Sequence, residues 1–132
     1  MNIRSVHHVG LVTDLFERMR DFYVEVLGFP VVGGFPEHQI VFLQAGSICI
    51  ELLGEDARPA TPSQRAQGGW SHVALEVDDV DTAFTELVRR GVEIHSYPEE
   101  FPPEAPEFRI AFLRDPAGNL LELIERIGGQ TA

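Results

Sequence analysis

Two short stretches of this chain are copies of one another. Residues 6 to 13 read Val-His-His-Val-Gly-Leu-Val-Thr, and residues 70 to 77 read Trp-Ser-His-Val-Ala-Leu-Glu-Val. The copies align with His8 on His72, an offset of 64 positions (72 minus 8). An internal repeat of this kind predicts a fold built from two similar units.

A helix is predicted after each copy. Asp14 with Glu17, and Asp78 with Asp81, are spaced like N-caps with a carboxylate in the first turn. Apolar residues then recur at helical spacing, and a glycine follows as a predicted C-terminal cap. These residues are Leu15, Met19, Phe22, Tyr23, Val26 and Gly28 in the first half, and Val80, Phe84, Leu87, Val88 and Gly91 in the second.

Two apolar runs with β-branched residues complete each half. They cover residues 40–43 and 48–53 in the first half and 110–113 and 120–124 in the second, with turn-forming residues between them. The stretch 96–108 carries four prolines and four glutamates without periodicity, which predicts a loop. Each half therefore reads as strand, helix and about three strands.

The length and composition fit one domain. With 132 residues, of which 44% are hydrophobic, the chain has enough apolar side chains for an ordinary core, whereas either half alone has too few. We therefore expect a single α+β domain over residues 1–132, with module one at about 3–54, a linker at 55–69 and module two at about 70–126.

The charge excludes several classes of function. The chain has 21 acidic and 10 basic residues, a formal charge of −11, and every basic residue is an arginine. Such a charge repels nucleic acid and anionic lipid, and the lack of lysine excludes Schiff-base catalysis through that residue. An anionic substrate must therefore be bound locally, by an arginine or by a metal.

Cellular location is suggested by what the sequence lacks. It has no run of about 20 apolar residues that would span a membrane and no signal-peptide pattern at its start. Cys49 is the only cysteine, so no internal disulfide forms. These features favour a cytoplasmic protein without a membrane partner.

Four residues at repeat-equivalent positions predict a metal site. Because side chains alternate along a strand, His8 and His72 fall on the face away from the helices. Glu51 and Glu122, 71 positions apart (122 minus 51), each interrupt an apolar strand, where an ionised carboxylate is costly to bury unless it is bound. Two histidines with two glutamates suit one divalent ion: Zn, Ni, Co, Mn or Fe.

Each of these residues also has a simpler interpretation. A single histidine beside a strand is usually structural, and a single inward glutamate is often paired with an arginine, for which Arg109 and Arg114 are candidates. Four such residues at matching positions favour the metal site. His7 is predicted to face away from the site, and His38 and His95 lack repeat mates and are treated as structural or surface residues.

Further residues are candidates for a substrate pocket. Cys49 shares a predicted strand face with Glu51, and Glu76 shares one with His72. Trp70 precedes the second histidine strand, and Arg109 is a possible cationic contact. We expect Cys49, Trp70, Glu76 and Arg109 to line the pocket, although Cys49 and Trp70 also fit plain core positions.

The motifs resemble those of the vicinal oxygen chelate superfamily, which includes glyoxalase I, methylmalonyl-CoA epimerase, extradiol dioxygenases and bleomycin-resistance proteins. The resemblance covers residues 3 to 126. Its carriers are residues 7–14, 22–29, 71–79 and the run Asp-Pro-Ala-Gly-Asn-Leu-Leu-Glu-Leu at 115–123. It implies paired βαβββ modules that form a U-shaped curved sheet around a central metal, with helices on the outer face, commonly in a homodimer.

The ligand set narrows the implied activity. Glu51 fills a position that is vacant in extradiol dioxygenases, and the antibiotic-binding members generally lack the ligands. The resemblance thus implies a redox-neutral lyase or isomerase of glyoxalase I type, acting by proton transfer beside a metal-bound carbonyl or enediolate of a small substrate. Glu122 is the candidate base, Glu51 the second candidate, and glutathione a candidate cosubstrate.

Two alternatives stay open. Residues 50–53 and 73–79 resemble methylmalonyl-CoA epimerase, whereas residues 115–119 and the glutamate at 51 resemble glyoxalase I. An alternative of another class is a protein that binds a small molecule or drug without catalysis. Metal content and turnover distinguish these functions.

Overall fold

A computed structural model describes residues 1–55 and 70–128 of the chain. The chain divides into two compact units, Met1–Gly68 and Gly69–Ala132. Apart from Glu55, the predicted linker at 55–69 lies outside the described residues.

In its described residues the first unit has a four-stranded sheet and an α-helix. Its order is β1 (Val9–Val12), α1 (Phe16–Asp21), β2 (Val31–Phe35), β3 (Ile40–Ala45) and β4 (Ile48–Leu53). A π-helical stretch, Phe22–Val26, continues α1, and a 3₁₀ turn, Pro36–His38, joins β2 to β3. The strands lie in the order β1-β4-β3-β2, with β1 parallel to β4 and the other pairs antiparallel.

The second unit repeats this arrangement. It contains β5 (His72–Glu76), α2 (Val80–Arg89), β6 (Glu93–Phe101), β7 (Phe108–Arg114) and β8 (Leu120–Arg126). The strand order is β5-β8-β7-β6, with β5 parallel to β8. The predicted α+β class with two βαβββ modules is confirmed.

The strand registers show that the two units are equivalent at the residues of interest. Gly10 of β1 lies beside Glu51 of β4, and Ala74 of β5 lies beside Glu122 of β8. Gly10 and Ala74 are 64 positions apart (74 minus 10), and the glutamates 71, as the sequence repeat predicts. The sequence repeat is therefore also a repeat of hydrogen-bonding register.

Apolar side chains of each helix pack on one face of its own sheet. In the first unit the most buried ones come from the α1 region, β3 and β4, and in the second from α2, β7 and β8. They are Met19, Phe22, Tyr23, Leu43, Ile50 and Leu52, and Val80, Phe84, Leu87, Leu113, Leu121 and Leu123. Glu51 and Glu122 alternate with these core residues and so lie on the opposite face.

The predicted C-terminal caps are confirmed. Gly28 has a φ of +81° and Gly91 a φ of +88°, in the left-handed region that side chains other than that of glycine rarely adopt. These two glycines end the helices and lead the chain back into β2 and β6.

The predicted N-caps, Asp14 and Asp78, are wrong. The start of α1 has no side-chain cap, and the Thr13 hydroxyl instead accepts a hydrogen bond from Leu15 N–H. At α2 the cap is Asp79, one residue later than predicted, whose carboxylate accepts from Thr82 N–H at 2.9 Å. Because Asp78 and Asp79 are adjacent, the sequence alone does not show which of them caps the helix.

A second carboxylate also reaches the start of α2. Glu125 of β8 accepts a hydrogen bond from the backbone N–H of Val80 at 2.9 Å. The first amides of a helix have no partner within the helix, so this bond satisfies one of them. It also connects α2 directly to the strand that carries Glu122.

The predicted loop at 96–108 is only partly correct. Residues up to Phe101 belong to β6, which pairs with β7 at the edge of the sheet. The register shifts between Ser96 and Glu99, around Pro98. Proline lacks an N–H donor but is tolerated at a bulge in an edge strand, which is why its presence did not exclude a strand here.

The helices in the described part of the chain are too short or too polar to cross a membrane.

Candidate functional site

The first unit brings His8 and Glu51 together. Nε2 of His8 lies 3.1 Å from Oε1 of Glu51, and the side chains are 37% and 18% exposed. His8 comes directly before β1, two residues from Gly10, which is the register partner of Glu51. Alternation therefore places both side chains on one face of the sheet.

The second unit repeats the pair with His72 and Glu122. Nε2 of His72 lies 2.9 Å from Oε1 of Glu122, and the side chains are 30% and 12% exposed. Here Ala74 is the register partner of the glutamate, two residues after the histidine. The same local geometry thus occurs once in each unit.

A phenylalanine borders each pair. Phe42 and Phe112 lie directly across the antiparallel ladder from Glu51 and Glu122. Each ring meets the histidine of its unit edge to face, with centroids 6.3 Å apart for His8 and 5.3 Å for His72. The histidine nitrogens and the glutamate carboxylates are thereby bordered by apolar surface, where electrostatic interactions are stronger than in water.

The second nitrogen of each histidine is also occupied. Nδ1 of His72 lies 2.9 Å from Ser71 Oγ, and Nδ1 of His8 lies 2.9 Å from Nδ1 of His7. His7 and Ser71 are themselves repeat-equivalent, 64 positions apart (71 minus 7). The prediction that His7 faces away did not anticipate this contact. Its position directly before His8, matched by Ser71 before His72, was the available signal.

The donor set of each pair fits a divalent ion. Two neighbouring ligands about 2.1 Å from an octahedral ion lie about 3.0 Å apart. The observed N···O separations, 3.1 Å and 2.9 Å, have this size, which is also that of an ordinary hydrogen bond. A partner on Nδ1 also matches the way metal-bound histidines are usually held. Among residues 1–55 and 70–128, no three His, Cys, Asp or Glu side chains lie close enough together to hold one metal ion.

Two predicted pocket residues share a face with the glutamates. Cys49 is partly buried in β4, two residues from Glu51 and opposite Gln44. Glu76 is at the end of β5, where it forms an ion pair with Nε of Arg126 at 3.2 Å. Their contact with a substrate stays a prediction.

The structure places Arg109 elsewhere. Its guanidinium binds the carboxylate of Asp81 of α2 through two hydrogen bonds of 2.9 Å, and the hydrogen bond with Asp81 raises the pKa of Arg109. Arg109 is two residues before Ala111 and four before Leu113 of the core, so its side chain is on their face, the helix side of the sheet. This placement does not agree with its predicted role in the pocket, since Glu122 lies on the other face.

Trp70 is 86% exposed in front of β5. The described structure therefore gives it no packed wall position, and its role in a pocket stays a prediction.

The Asp-Pro-Ala-Gly-Asn motif at 115–119 forms the turn between β7 and β8. The buried carboxylate of Asp115 accepts hydrogen bonds from the backbone N–H of Ala117 and from both the backbone and side-chain amides of Asn119. This carboxylate is fully engaged in holding the turn, so the motif is structural.

A comparison with known protein families identifies the chain. The family model of the Glyoxalase/Bleomycin resistance protein/Dioxygenase superfamily matches residues 5–123. The chain belongs to this superfamily. The resemblance seen in the sequence motifs is thereby confirmed, and the duplicated βαβββ module is that of a glyoxalase-superfamily protein.

Two similar proteins, a human enzyme and a bacterial protein of known structure, match nearly the whole chain. Human mitochondrial methylmalonyl-CoA epimerase is 32% identical over 132 aligned residues, which cover 92% of this chain and 74% of the epimerase. A glyoxalase family protein from Enterococcus faecalis is 29% identical, with 95% and 100% of the two chains covered and a TM-score of 0.71.

A lactoylglutathione lyase from Agrobacterium tumefaciens is similar in fold. It is 22% identical, with 95% of this chain and 96% of that chain covered and a TM-score of 0.70. At this identity the likeness concerns the fold of the superfamily alone.

Proposed function

We propose that this protein is a metal-dependent, redox-neutral lyase or isomerase that moves a proton at the carbon beside a carbonyl group of a small substrate. The observation that carries the proposal is the duplicated pair, with histidine Nε2 3.1 Å and 2.9 Å from glutamate Oε1 at repeat-equivalent positions. A divalent ion bound by such pairs would explain why an apolar strand in each unit carries a carboxylate.

In this proposal His8, Glu51, His72 and Glu122 hold the ion. A bound divalent ion would supply Lewis-acid polarisation of the substrate carbonyl, which acidifies the neighbouring C–H bond. The protein then needs a base beside that carbon. Glu122 is our candidate because it is the less exposed of the two glutamates, at 12% against 18% for Glu51, and is bordered by apolar side chains.

The first substrate we propose is a carboxyacyl thioester such as methylmalonyl-CoA. The support is the 32% identity with the human epimerase over 92% of this chain. The second candidate is the glutathione adduct of methylglyoxal, with glutathione as cosubstrate. It is favoured by the glutamate at position 51, which gives the complete four-ligand set that the resemblance to glyoxalase I implies.

Metal uptake is the first test. Protein stripped with a chelator is dialysed in turn against Zn, Ni, Co, Mn and Fe(II) salts, and bound metal is measured by elemental analysis. We expect about one equivalent per chain, and loss of uptake in His8→Ala and His72→Ala alike. Two equivalents would mean that each pair binds its own ion, and no uptake by any ion would overturn the site.

Solvent exchange tests the proton transfer itself. Metal-loaded protein is incubated in D₂O with methylmalonyl-CoA or with methylglyoxal and glutathione, and proton NMR follows the substrate. We expect deuterium at the carbon beside the carbonyl with wild type and with the exposed control Glu37→Gln, but not with Glu122→Gln. Binding without exchange of either substrate would instead support a small-molecule binding protein.

Assembly as a homodimer is implied by the resemblance and stays a prediction. Sedimentation velocity of the metal-loaded protein measures it directly.

A further inference from the structure

Arg114 lies on the face of the second sheet that carries Glu122. Its neighbour on that face of β7, Phe112, is directly opposite Glu122. Nη2 of Arg114 is 3.1 Å from Nδ1 of His95, and the His95 ring is 6.3 Å from the ring of Phe112. Phe112 in turn contacts His72. A continuous set of side chains thus leads from Arg114 to the candidate ligands.

The described partners of Arg114 carry no negative charge. Nη1 donates to the carbonyl of Gly118 at 2.8 Å, and Nη2 donates to Nδ1 of His95, which must be unprotonated because a guanidinium can only donate. These two bonds use two of the five N–H donors of the guanidinium. Donors for a further acceptor therefore remain.

The other two arginines in strands β5 to β8, all of which the structure describes, are paired with carboxylates. Arg109 binds Asp81 on the helix side of the sheet, and Arg126 binds Glu76 further along β8. Glu93 of β6 is opposite Arg114 in the ladder, but the described hydrogen bonds of Arg114 go to the uncharged Gly118 carbonyl and to His95. The unused donors of the guanidinium can therefore bind a further carboxylate.

The first unit shows that the fold does not need this charge. Gln44 follows Phe42 on β3 as Arg114 follows Phe112 on β7, each two residues after the phenylalanine. The Gln44 amide donates to the carbonyl of Gly46 in its own hairpin at 2.7 Å, as Arg114 donates to Gly118. A neutral amide thus makes the same hairpin contact, so this contact does not require the positive charge of Arg114.

We propose that Arg114 binds a carboxylate of the substrate, so that the site selects small carboxylic acids or their thioesters. This inference rests on the proposed function, because it names the substrate class of the same site. A carboxylate matches the planar, paired donors of a guanidinium. Arg114 is then a binding and specificity residue, while proton transfer stays with Glu122.

The test uses malonate, a small dicarboxylate, titrated calorimetrically into metal-loaded wild type, Arg114→Gln and the control Arg89→Gln, at an exposed residue of α2. Glutamine is the residue at the equivalent position of the first unit, so we expect the hairpin contact to be retained. We expect malonate to bind Arg114→Gln about 10- to 100-fold more weakly and Arg89→Gln nearly as wild type, since a lost charge-assisted bond has this effect. Malonamide, which is neutral, should not distinguish the three proteins.

Equal malonate affinity of Arg114→Gln and wild type, or an equal loss in Arg89→Gln, would overturn the proposal. Metal content of each variant is measured in the same samples. A loss of metal from Arg114→Gln would also overturn it, because Arg114 would then act on the ligands. If wild type itself takes up no metal, the proposed function fails, while malonate binding by metal-free wild type and Arg114→Gln still decides the role of Arg114.

Discussion

Replacing Ser71 with alanine tests whether the contact behind His72 serves a metal site. Ser71 Oγ lies 2.9 Å from Nδ1 of His72, while Nε2 of the same ring faces Glu122 at 2.9 Å. With a metal on Nε2 the ring carries its proton on Nδ1, and the serine hydroxyl accepts it. Alanine removes that acceptor, and the ring loses the bond that fixes its orientation.

The expected size of the effect follows from this one hydrogen bond. A hydrogen bond between neutral groups contributes about 0.5–1.5 kcal/mol. Loss of an outer partner of a metal-bound histidine typically weakens metal binding about 10- to 100-fold. His72 is 30% exposed, so water can replace the hydroxyl in part and the lower end applies. We expect about tenfold weaker metal binding in Ser71→Ala, or about 1.4 kcal/mol.

Cobalt titration against a competing chelator, followed by visible absorption, measures this change. Ser5→Ala, in the exposed segment before β1, is the matched control and should bind as wild type. His7→Ala removes the corresponding contact in the first unit and should show a similar loss. The reasoning is refuted if Ser71→Ala binds cobalt within about twofold of wild type while His72→Ala binds none.

Three further substitutions test the base, the core and the helix cap. Glu122→Gln should weaken metal binding, abolish turnover and leave the circular dichroism and thermal unfolding of metal-free protein unchanged, and an active variant would mean that another group is the base. Leu123→Ala, at a side chain 2% exposed, should lower the free energy of unfolding in urea by about 3–5 kcal/mol, and a loss below about 1 kcal/mol would contradict the packing. Asp79→Ala should lower it by about 1 kcal/mol and Asp78→Ala by much less, whereas equal losses would contradict the assignment of the cap to Asp79.

The repeat made the fold and the pairing of ligands predictable from sequence. Matching His8 with His72 implied matching strands, and alternation then placed each glutamate on the same face as its histidine. The parallel registers of Gly10 with Glu51 and of Ala74 with Glu122 agree with that reasoning. The pattern was informative because the same two residue types occurred twice at corresponding positions.

Other features depended on contacts that no sequence pattern carries. The end of β6, residues 96–101, is predicted as a loop because proline and glutamate disfavour strands, yet backbone pairing with β7 determines the structure there. Arg109 was expected in the pocket, although alternation along β7 puts residues 109 and 114 on opposite faces. Their partners, Asp81 for Arg109 and His95 for Arg114, required the side-chain geometry.

The hydrogen bond between Glu125 and the amide of Val80 gives a way to follow the second unit in solution. Val80 is the first residue of α2, and Glu125 is three positions beyond Glu122 on β8. This bond protects the Val80 amide from exchange until the Glu125 side chain turns away or the helix start separates from the strand. Hydrogen exchange at this single backbone position therefore reports how often the link between α2 and the strand bearing the candidate base opens.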